Sequence, residues 1–439
     1  KIFTMPQFLN RRYNSTVSLI MAVFWLLLYI AVNLTSILYL GALAVSTISG
    51  LDFTVCMIAM SAFAIVITLG GMKVIGYTDV IQVVFLVLGG LVTSYLALNL
   101  VSERFGGDGV VNGLNHLMTK APDHFHMIFS KDNANYPSLP GLAVLIGGMW
   151  IVNLNYWGCN QYITQRALGA DLPTARNGIM FAAFLKMMMP IIVVLPGIAA
   201  YLLWKDGMFQ QEMLGADGTV NADHAYPVLL NLLTPGLKGL SFAALTAAIV
   251  ASLAGKANSI STIFTLDIYQ KFFKKDASEE QLVKTGRIVI VVAMVIAILI
   301  SPYLGIDKKG GFDFIQEMTG YVSPGIFAVF LLGFFWKRAN SAGAMAATIG
   351  SVVISLVLKD LPEMTGMYDT VFYSSFLDGE GHHIIPFLDR MGLTFLICVL
   401  MMVVLGLADS STKDGEKALK IDASMFKTNT AFAVGATVI

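Results

Sequence analysis

Long apolar segments separated by polar connections dominate the sequence. An α-helix needs about 20 mainly apolar residues to cross roughly 30 Å of hydrocarbon. Ten runs reach or approach that length, namely 18–48, 54–69, 80–101, 139–165, 178–203, 238–270, 286–305, 313–336, 343–358 and 390–408. An eleventh begins near residue 428 and stops at Ile439. Because no strand-like alternation competes with these runs, the pattern predicts an all-α integral membrane protein with ten full helices and a short final segment.

Composition supports a membrane environment and argues against several soluble classes. The 439 residues are 56% hydrophobic and 13% charged, whereas an average soluble domain is roughly 25% charged. Lys plus Arg and Asp plus Glu number 28 each, so the net charge does not indicate a nucleic acid partner. Cys56, Cys159 and Cys398 all lie in apolar runs, which argues against a secreted disulfide framework.

Motifs of soluble enzymes are missing from the sequence. It contains no P-loop, no H-E-x-x-H and no nucleophile elbow, so we expect no enzyme activity. The six histidines all fall in predicted outer loops. The pairs His124/His126 and His382/His383 are open to a metal-binding interpretation, but solvated loop residues are the favoured one.

The distribution of Lys and Arg predicts the orientation in the membrane. If connections alternate sides, the set on the side of the N-terminus carries 17 of these residues and the opposite set carries 9. This bias places Lys1 in the cytoplasm and the polar loops 102–138, 206–235 and 361–388 outside. The chain opens with Lys1 rather than Met and ends in an apolar run, so we expect it to be part of a longer protein.

Polar residues inside the apolar runs are candidates for a binding site, because they are costly in lipid and usually line a pathway. Segment 153–161 holds four amide side chains and Gly158, which favours a bent helix lining a cavity. For a single Asn, interhelical hydrogen bonding remains the alternative. Lys186 lies eight residues into its run, and Pro190 is expected to kink the same helix.

A third polar element opens run 313–336 with Asp313, Gln316 and Glu317, and Ser323-Pro324-Gly325 is expected to break that helix midway. Amide and ammonium groups on three helices suit a polyhydroxylated solute, because each hydroxyl both donates and accepts hydrogen bonds. The candidate polar ligands are Asn153, Lys186 and Gln316, and the candidate aromatic neighbours are Tyr156, Trp157 and Phe312.

Run 238–270 offers a candidate cation site. Ala248 and Ser252 are spaced i, i+4 and therefore share a helical face. A carbonyl near a helix break and a serine hydroxyl are neutral oxygens that suit a hard monovalent cation. The alternative is that the small residues between 247 and 255 let helices pack closely, and composition alone favours that interpretation.

Several stretches resemble the sodium:solute symporter family, and most closely its bacterial sodium/galactose (sodium/glucose) members. The matching stretches run in order through essentially the whole chain. They are Thr4-Met5-Pro6-Gln7-Phe8-Leu9, Gly70-Gly71-Met72, Tyr77-Thr78-Asp79-Val80-Ile81-Gln82, Asn153 to Trp157, Gln165-Arg166, Phe184-Leu185-Lys186, Asn258-Ser259, Thr262 to Tyr269, Phe312-Asp313-Phe314-Ile315-Gln316, Phe334-Phe335-Trp336-Lys337-Arg338 and Gly343-Ala344.

The resemblance implies a five-plus-five inverted-repeat (LeuT-like) transporter core, N-terminally truncated here, with extra C-terminal helices. It assigns residues 1–101 to the remainder of the first repeat, with three helices, and 102–138 to an extracellular loop. Residues 139–338 become the second repeat, with five helices, and 339–439 become additional C-terminal helices, the last one incomplete. The family's first core helix, which supplies further ligands, should precede residue 1.

The resemblance also implies roles for individual residues. Asn153, Lys186 and Gln316 match positions that hydrogen-bond the sugar. The aromatic positions are Tyr156, which closes the site toward the cytoplasm, and Trp157 and Phe312, which form its hydrophobic surround. For sodium, Ala248 matches a backbone carbonyl ligand, Ser252 a hydroxyl ligand, and Ala251 a position where some members have a serine ligand, so one side-chain oxygen is lost here. Asp79 resembles a cytoplasmic-side carboxylate that helps sodium leave.

Lys256 departs from the expected pattern of a neutral ion site. It lies one turn beyond Ser252 on the same face, about 6 Å along the helix axis. One hypothesis is that its ammonium partly replaces the ion and makes transport less sodium-dependent or proton-sensitive. The favoured alternative is that its four-carbon stem carries the charge to cytoplasmic water.

The function that we expect from the resemblance is sodium-driven uptake of a sugar (galactose or glucose) by alternating access in the cell (plasma or inner) membrane. Na⁺ is the co-transported ion, and the lipid bilayer is the surrounding partner. Alternatives are a same-fold symporter for a sialic acid, inositol or an amino acid, and a proton-coupled or uncoupled sugar carrier. A passive channel or a sugar receptor agrees less well with broken helices and buried polar residues. The choice of sugar, the sodium stoichiometry and whether the protein forms an oligomer stay open.

Overall fold

The computed structural model describes residues 2–133, 135–215, 218–303, 310–378, 381–409 and 415–439, and the side chains of residues 72–75, 78 and 312 lie outside that description. The α-helices are Met5–Arg12 (α1), Ser15–Leu27 (α2), Thr35–Ser49 (α3), Phe53–Leu69 (α4), Met72–Phe105 (α5), Gly109–Lys120 (α6), Ala143–Ile146 (α7), Gly148–Cys159 (α8), Gln161–Ala167 (α9), Leu172–Met189 (α10), Leu195–Lys205 (α11), Ala225–Leu230 (α12), Pro235–Ile263 (α13), Glu279–Ile300 (α14), Gly311–Gly320 (α15), Ser323–Phe335 (α16), Ser341–Thr365 (α17), Phe387–Ala408 (α18) and Thr430–Val438 (α19). The π-helical segments are Leu28–Leu34, Pro190–Val194 and Phe264–Phe273, and the short 3₁₀ turns are Pro122–Phe125, Ala222–His224, Ser301–Tyr303 and Ala423–Phe426. The strands are Phe376–Leu377 (β1) and His383–Ile384 (β2).

Helices of membrane-spanning length and composition confirm the predicted class of the protein. Within the described residues these candidate spans number seven, namely Ser15–Ser49, Asp79–Phe105, Leu172–Lys205, Pro235–Phe273, Glu279–Tyr303, Ser341–Thr365 and Phe387–Ala408. The bent pair Asp313–Gly320 and Ser323–Phe335 brings the number to eight if it forms one span. The number of ten full helices stays a prediction. Run 54–69 forms the 17-residue α4, which is at the short end of the roughly 17–25 residues that cross a bilayer, and run 139–165 is divided into α7, α8 and α9.

Helix breaks occur where the local sequence predicts them. Pro190 lacks a backbone N–H and begins the π-helical segment Pro190–Val194. Pro324 lies in the first turn of α16, and the axis bends by 53° between α15 and α16. Run 139–165 is bent as predicted, with interruptions at Gly147 and at Asn160.

The central helix of the fold is α13. It packs against α3, α4, α5 and α9, which precede it in the sequence, and against α14, which follows it. It also contacts the π-helical segment Leu28–Leu34, which joins α2 and α3 into one span. Because both halves of the chain meet at α13, side chains from distant parts of the sequence converge on its surface.

The N-terminal segment is anchored on the end of α16. The Arg12 side chain, which is 1% exposed, donates hydrogen bonds to the carbonyl oxygens of Gly333 (2.8 Å) and Trp336 (3.0 Å). Tyr13 donates to the carbonyl oxygen of Val329 at 2.8 Å. Carbonyl groups in the last turn of a helix have no intrahelical donor, so the bond from Arg12 satisfies the Gly333 carbonyl at the end of α16.

The polar connections that the charge distribution places outside contain structure of their own. Helix α6 lies in connection 102–138 and α12 lies in connection 206–235. In connection 361–388, β1 and β2 pair antiparallel with Phe376 opposite Ile384. The orientation and the predicted division into repeats stay predictions.

Candidate functional site

A cavity of about 570 Å³ lies among α5, α8, α9, α10 and α13. A second cavity of about 440 Å³ adjoins it and has walls from α3, α5, α8, α9 and α13. The lining residues shared by the two are Leu86, Tyr156, Tyr162, Ala248 and Ser252. Because the two cavities share these residues, we call the first the larger lobe and the second the smaller lobe of one cavity. Volumes of this size are typical of sites for small molecules, which occupy roughly 300–1,000 Å³.

Two of the predicted sugar ligands meet between α8 and α10, beside the larger lobe rather than among its lining residues, and Lys186 is exposed there. The Lys186 ammonium donates a long hydrogen bond of 3.4 Å to Oδ1 of Asn153 and lies 5.6 Å from the centre of the Trp157 ring. The Asn153 amide also donates to the carbonyl oxygen of Met149 at 2.9 Å, which fixes its orientation. Tyr156 and Trp157 form an edge-to-face pair 5.9 Å apart, and both line the larger lobe.

Gln316 is not brought together with this pair. It lies half-buried on α15, and in the described ranges it forms no hydrogen bond with Asn153 or Lys186. Helix α15 packs instead against α3, α16, α18 and the π-helical segment Leu28–Leu34. The neighbouring Glu317 pairs with Arg390 at 3.4 Å. Phe312 was predicted to surround the sugar, but its side chain lies outside the described residues.

The predicted cation ligands lie on α13. Ala248 and Ser252 line both lobes, and Ala251 lines the larger lobe and is 4% exposed. The expectation of a nearby helix break is wrong, because α13 continues without interruption from Pro235 to Ile263. The Ala248 carbonyl therefore sits inside a regular helix, where its oxygen keeps one further lone pair for a ligand.

Asp79 is paired with a cation rather than standing alone in the cavity. Its Oδ2 accepts a hydrogen bond from Arg166 at 3.0 Å, and both side chains are about a third exposed, at 29% and 30%. Arg166 also donates to the carbonyl oxygen of Tyr162 at 3.2 Å and lies 4.2 Å from the centre of that ring. The pair forms part of the wall of the larger lobe.

Lys256 is buried, so the interpretation that its stem reaches cytoplasmic water is wrong. The residue is 4% exposed, and its ammonium donates a hydrogen bond of 2.8 Å to Oδ1 of Asn33. The same nitrogen lies 4.4 Å from the centre of the Tyr29 ring and 4.6 Å from that of Tyr162. Lys256 and Ser252 both line the smaller lobe.

Comparison with known proteins identifies the family. The model of the sodium:solute symporter family matches residues 1–350. The chain belongs to the sodium:solute symporter family. It is 44% identical to a sodium/glucose cotransporter of Vibrio parahaemolyticus over 442 residues, which cover 99% of this chain and 77% of that protein. It is 33% identical to sodium/glucose cotransporter 4 of Mus musculus and 31% identical to sodium/myo-inositol cotransporter 2 of Homo sapiens, each over 81% of this chain.

The chain covers only part of the length of these two mammalian relatives. The chain spans 54% of the Mus musculus protein and 55% of the Homo sapiens protein, so it corresponds to about half of their length. A solved structure of a Na⁺-coupled sialic acid symporter in a substrate-bound outward-open state superposes with a TM-score of 0.71 at 22% identity. The superposition covers 93% of this chain and 77% of that chain, and it confirms the predicted transporter fold.

Within this symporter fold, three of the four amides in segment 153–161 form contacts between segments. Asn155 donates to the Ser323 hydroxyl at 3.1 Å, Asn160 accepts from the Tyr29 hydroxyl at 2.6 Å, and Gln161 accepts from the backbone N–H of Met5 at 2.7 Å. The alternative of interhelical hydrogen bonding is thus correct for these three. Asn153 alone among the four faces Lys186.

Sequence reasoning missed three residues of the Lys256 environment, namely Tyr29, Asn33 and Tyr162. Asn33 is a polar residue within the apolar run 18–48, which was the available signal. Its partner lies 223 positions away in the sequence, so spacing along the chain gave no indication of the contact.

Proposed function

We propose that this protein is a sodium-coupled symporter that carries a sugar of the galactose or glucose type across the cell membrane by alternating access. The observation that carries the proposal is a cavity with aromatic residues and candidate cation ligands on its walls. Tyr156 and Trp157 line the larger lobe together with Ala248 and Ser252, and the Lys186–Asn153 pair lies beside Trp157. Relatives named as sodium/glucose cotransporters, at 44% and 33% identity, support the same assignment.

In this proposal the sugar hydroxyls bind to Asn153, Lys186 and Gln316. An ammonium donates and an amide both donates and accepts, which matches hydroxyl groups in both directions. Trp157 covers an apolar C–H face of the sugar, and Tyr156 closes the path toward the cytoplasm. In the described chain Gln316 makes no hydrogen bond with Asn153 or Lys186. For Gln316 to bind the same sugar, α15 must approach α8 and α10 when the sugar binds.

Sodium is the second substrate. Its proposed ligands are the Ala248 carbonyl and the Ser252 hydroxyl, with Ala251 at a position that offers no side-chain oxygen. Asp79 lies in the wall of the larger lobe and accepts a hydrogen bond from Arg166. A sodium ion that leaves toward the cytoplasm would exchange with Arg166 at this carboxylate, which gives Asp79 its role in ion release.

The ion gradient supplies enough free energy for accumulation. A membrane potential of 100 mV contributes about 2.3 kcal/mol for each charge that crosses, and a tenfold sodium gradient adds about 1.4 kcal/mol. One sodium ion therefore supplies about 3.7 kcal/mol, enough to hold a sugar gradient of a few hundredfold. The cycle needs binding and conformational change but no covalent step.

A second candidate substrate is myo-inositol. A relative named as a sodium/myo-inositol cotransporter is 31% identical over 81% of this chain. Inositol presents a ring of hydroxyls, so the same amide and ammonium groups suit it. A competition series with galactose, glucose, myo-inositol and a sialic acid separates these substrates.

The proposal is tested by uptake of labelled galactose and glucose into proteoliposomes that hold the full-length protein. Inward sodium is compared with inward choline at the same membrane potential. We expect accumulation above equilibrium in sodium only. Equal uptake in both salts would refute sodium coupling, and absence of sugar uptake in either salt would refute the sugar substrate while leaving the family and fold unchanged.

A further inference from the structure

Lys256 places its amino group in the interior without a carboxylate beside it in the described residues. Over the part of the chain that the structure describes, no Asp or Glu oxygen forms an ion pair with its ammonium. Its partners are the Asn33 amide oxygen and the faces of Tyr29 and Tyr162. An amide oxygen and two aromatic faces are groups that stabilise an ammonium cation.

Gly255, the residue before Lys256 on α13, makes room for the Tyr162 ring. A Cβ atom added at Gly255 would lie 2.6 Å from Cε2 of Tyr162 and 2.9 Å from a terminal nitrogen of Arg166. Only a residue without a side chain lets the Tyr162 ring approach the helix this closely. Arg166 shares the Tyr162 ring with Lys256, but its charge is offset by Asp79 at 3.0 Å. The uncompensated charge in this region is that of Lys256.

The candidate sodium ligands lie next to this charge. Ser252 precedes Lys256 by four residues in an unbroken helix, a rise of about 6 Å. Ala248, Ser252 and Lys256 all line the smaller lobe. For an ammonium and a cation held about one helical turn apart, roughly 6 Å, at an effective dielectric constant of about 20, repulsion would weaken binding of the cation by about 100-fold.

We propose that the Lys256 ammonium is a built-in cation of the coupling site, which lines the smaller lobe and lowers the sodium affinity of the wall formed by Ala248 and Ser252. The inference rests on the proposed function, since it assumes that this wall binds sodium. It adds to that function by naming Lys256 as a residue that sets the sodium affinity of the site. Sodium binding at this site is then limited by repulsion as well as by the missing oxygen at Ala251.

The experiment measures sodium affinity of the purified full-length protein by titrating its thermal unfolding temperature with NaCl at constant ionic strength. Four proteins are compared, namely the wild type, Lys256→Met, Lys256→Arg and Lys238→Met. Lys256→Met removes the charge at similar side-chain length, whereas Lys256→Arg keeps it. Lys238→Met removes the same charge from the same helix, 18 residues earlier, about 27 Å along the axis.

We expect Lys256→Met to bind sodium at least tenfold more tightly than the wild type, with about 100-fold as the upper limit from the repulsion above. Lys256→Arg and Lys238→Met should stay within about threefold of the wild type, because the local charge is retained or the removed charge is distant. If Lys256→Met does not elute as a monodisperse protein, Lys256→Gln removes the charge and keeps a donor for Asn33. Failure of both neutral variants to fold, with Lys256→Arg folded, would make the ammonium structural and overturn the coupling role.

Two further outcomes separate this inference from the proposed function. If sugar uptake by the wild type depends on sodium and Lys256→Met binds sodium no more tightly, the inference is wrong and the symport function stands. If neither protein responds to sodium and uptake is the same in choline, the proposed sodium coupling fails together with the inference.

Discussion

Substitution of Gly255 by alanine tests the close packing of Tyr162 against α13. In a helix interior, Gly to Ala normally stabilises by roughly 0.5–1 kcal/mol, because alanine loses less backbone entropy on folding. At position 255 the added Cβ would overlap Cε2 of Tyr162 at 2.6 Å and the Arg166 guanidinium at 2.9 Å. Overpacking of this kind typically costs 1–3 kcal/mol, roughly, which exceeds the gain in propensity. We therefore expect a net loss of about 0–2.5 kcal/mol in the free energy of unfolding, with a central value of roughly 1 kcal/mol.

A matched substitution in the same helix isolates the steric effect. Gly239 also lies in α13, and nothing stands within 4 Å of the Cβ position there. Gly239→Ala should raise the thermal unfolding temperature of the purified protein, and Gly255→Ala should lower it. Displacement of Arg166 should also weaken its contact with Asp79, so sugar uptake should fall in Gly255→Ala only. An unfolding temperature that rises equally in both variants would refute the close approach of Tyr162 to α13.

Three further predictions concern the cavity and the connection before α13. Lys186→Ala removes a charged donor, so we expect a roughly 10- to 100-fold weaker apparent affinity for sugar in uptake assays, with sodium affinity unchanged; wild-type sugar affinity would remove Lys186 from the site. Asp79→Asn should lower the maximal uptake rate while the unfolding temperature changes by little, because a part-exposed ion pair contributes only about 0–1 kcal/mol; an unchanged rate would argue against a role in ion release. Burial lowers the pKa of His224 although Asp223 opposes the shift. The neutral ring is therefore favoured on folding, and this stability is present above the unfolded pKa of 6.5 and is lost as the pH falls through the lower folded value. On acidification the free energy of unfolding should therefore fall, by at most about 1.4 kcal/mol per pH unit from this group, and the unfolding temperature should fall with it. His224→Asn should remove this contribution to the pH dependence of the unfolding temperature; an identical pH dependence in the variant would contradict the assignment.

The helices and their breaks were predictable because the signals are local. A run of apolar residues, a proline without an N–H group and a Ser-Pro-Gly sequence act on their own segment whatever the rest of the chain does. Pro190 and Pro324 accordingly mark a π-helical segment and a bend. The exact division of run 139–165 was not predictable, because its apolar character continues through the backbone breaks at Gly147 and Asn160.

The candidate site was predictable only in part, because apolar context does not tell which contact a polar residue makes. Asn153 and Asn155 look alike in the sequence, yet the first faces Lys186 and the second bonds to Ser323 on another helix. Lys256 was assigned to water because a long stem near a helix end usually extends to it. The Asn33 oxygen that holds its ammonium comes from a different span, and no spacing rule connects the two.

The contacts of Lys256 and of Asn160 converge on one short segment, which bears on how the fold can move. Tyr29 and Asn33 both lie in the π-helical segment Leu28–Leu34. Tyr29 donates to Asn160 at the junction of α8 and α9, and Asn33 accepts from Lys256 on α13. Because the two partners are four residues apart on one segment, a rigid movement of this span away from α13 and the junction breaks both hydrogen bonds together. Each such bond contributes about 0.5–1.5 kcal/mol, and one to a charged group contributes more. The span between Ser15 and Ser49 is therefore held both to the α8–α9 junction and to α13, beside the proposed cation site.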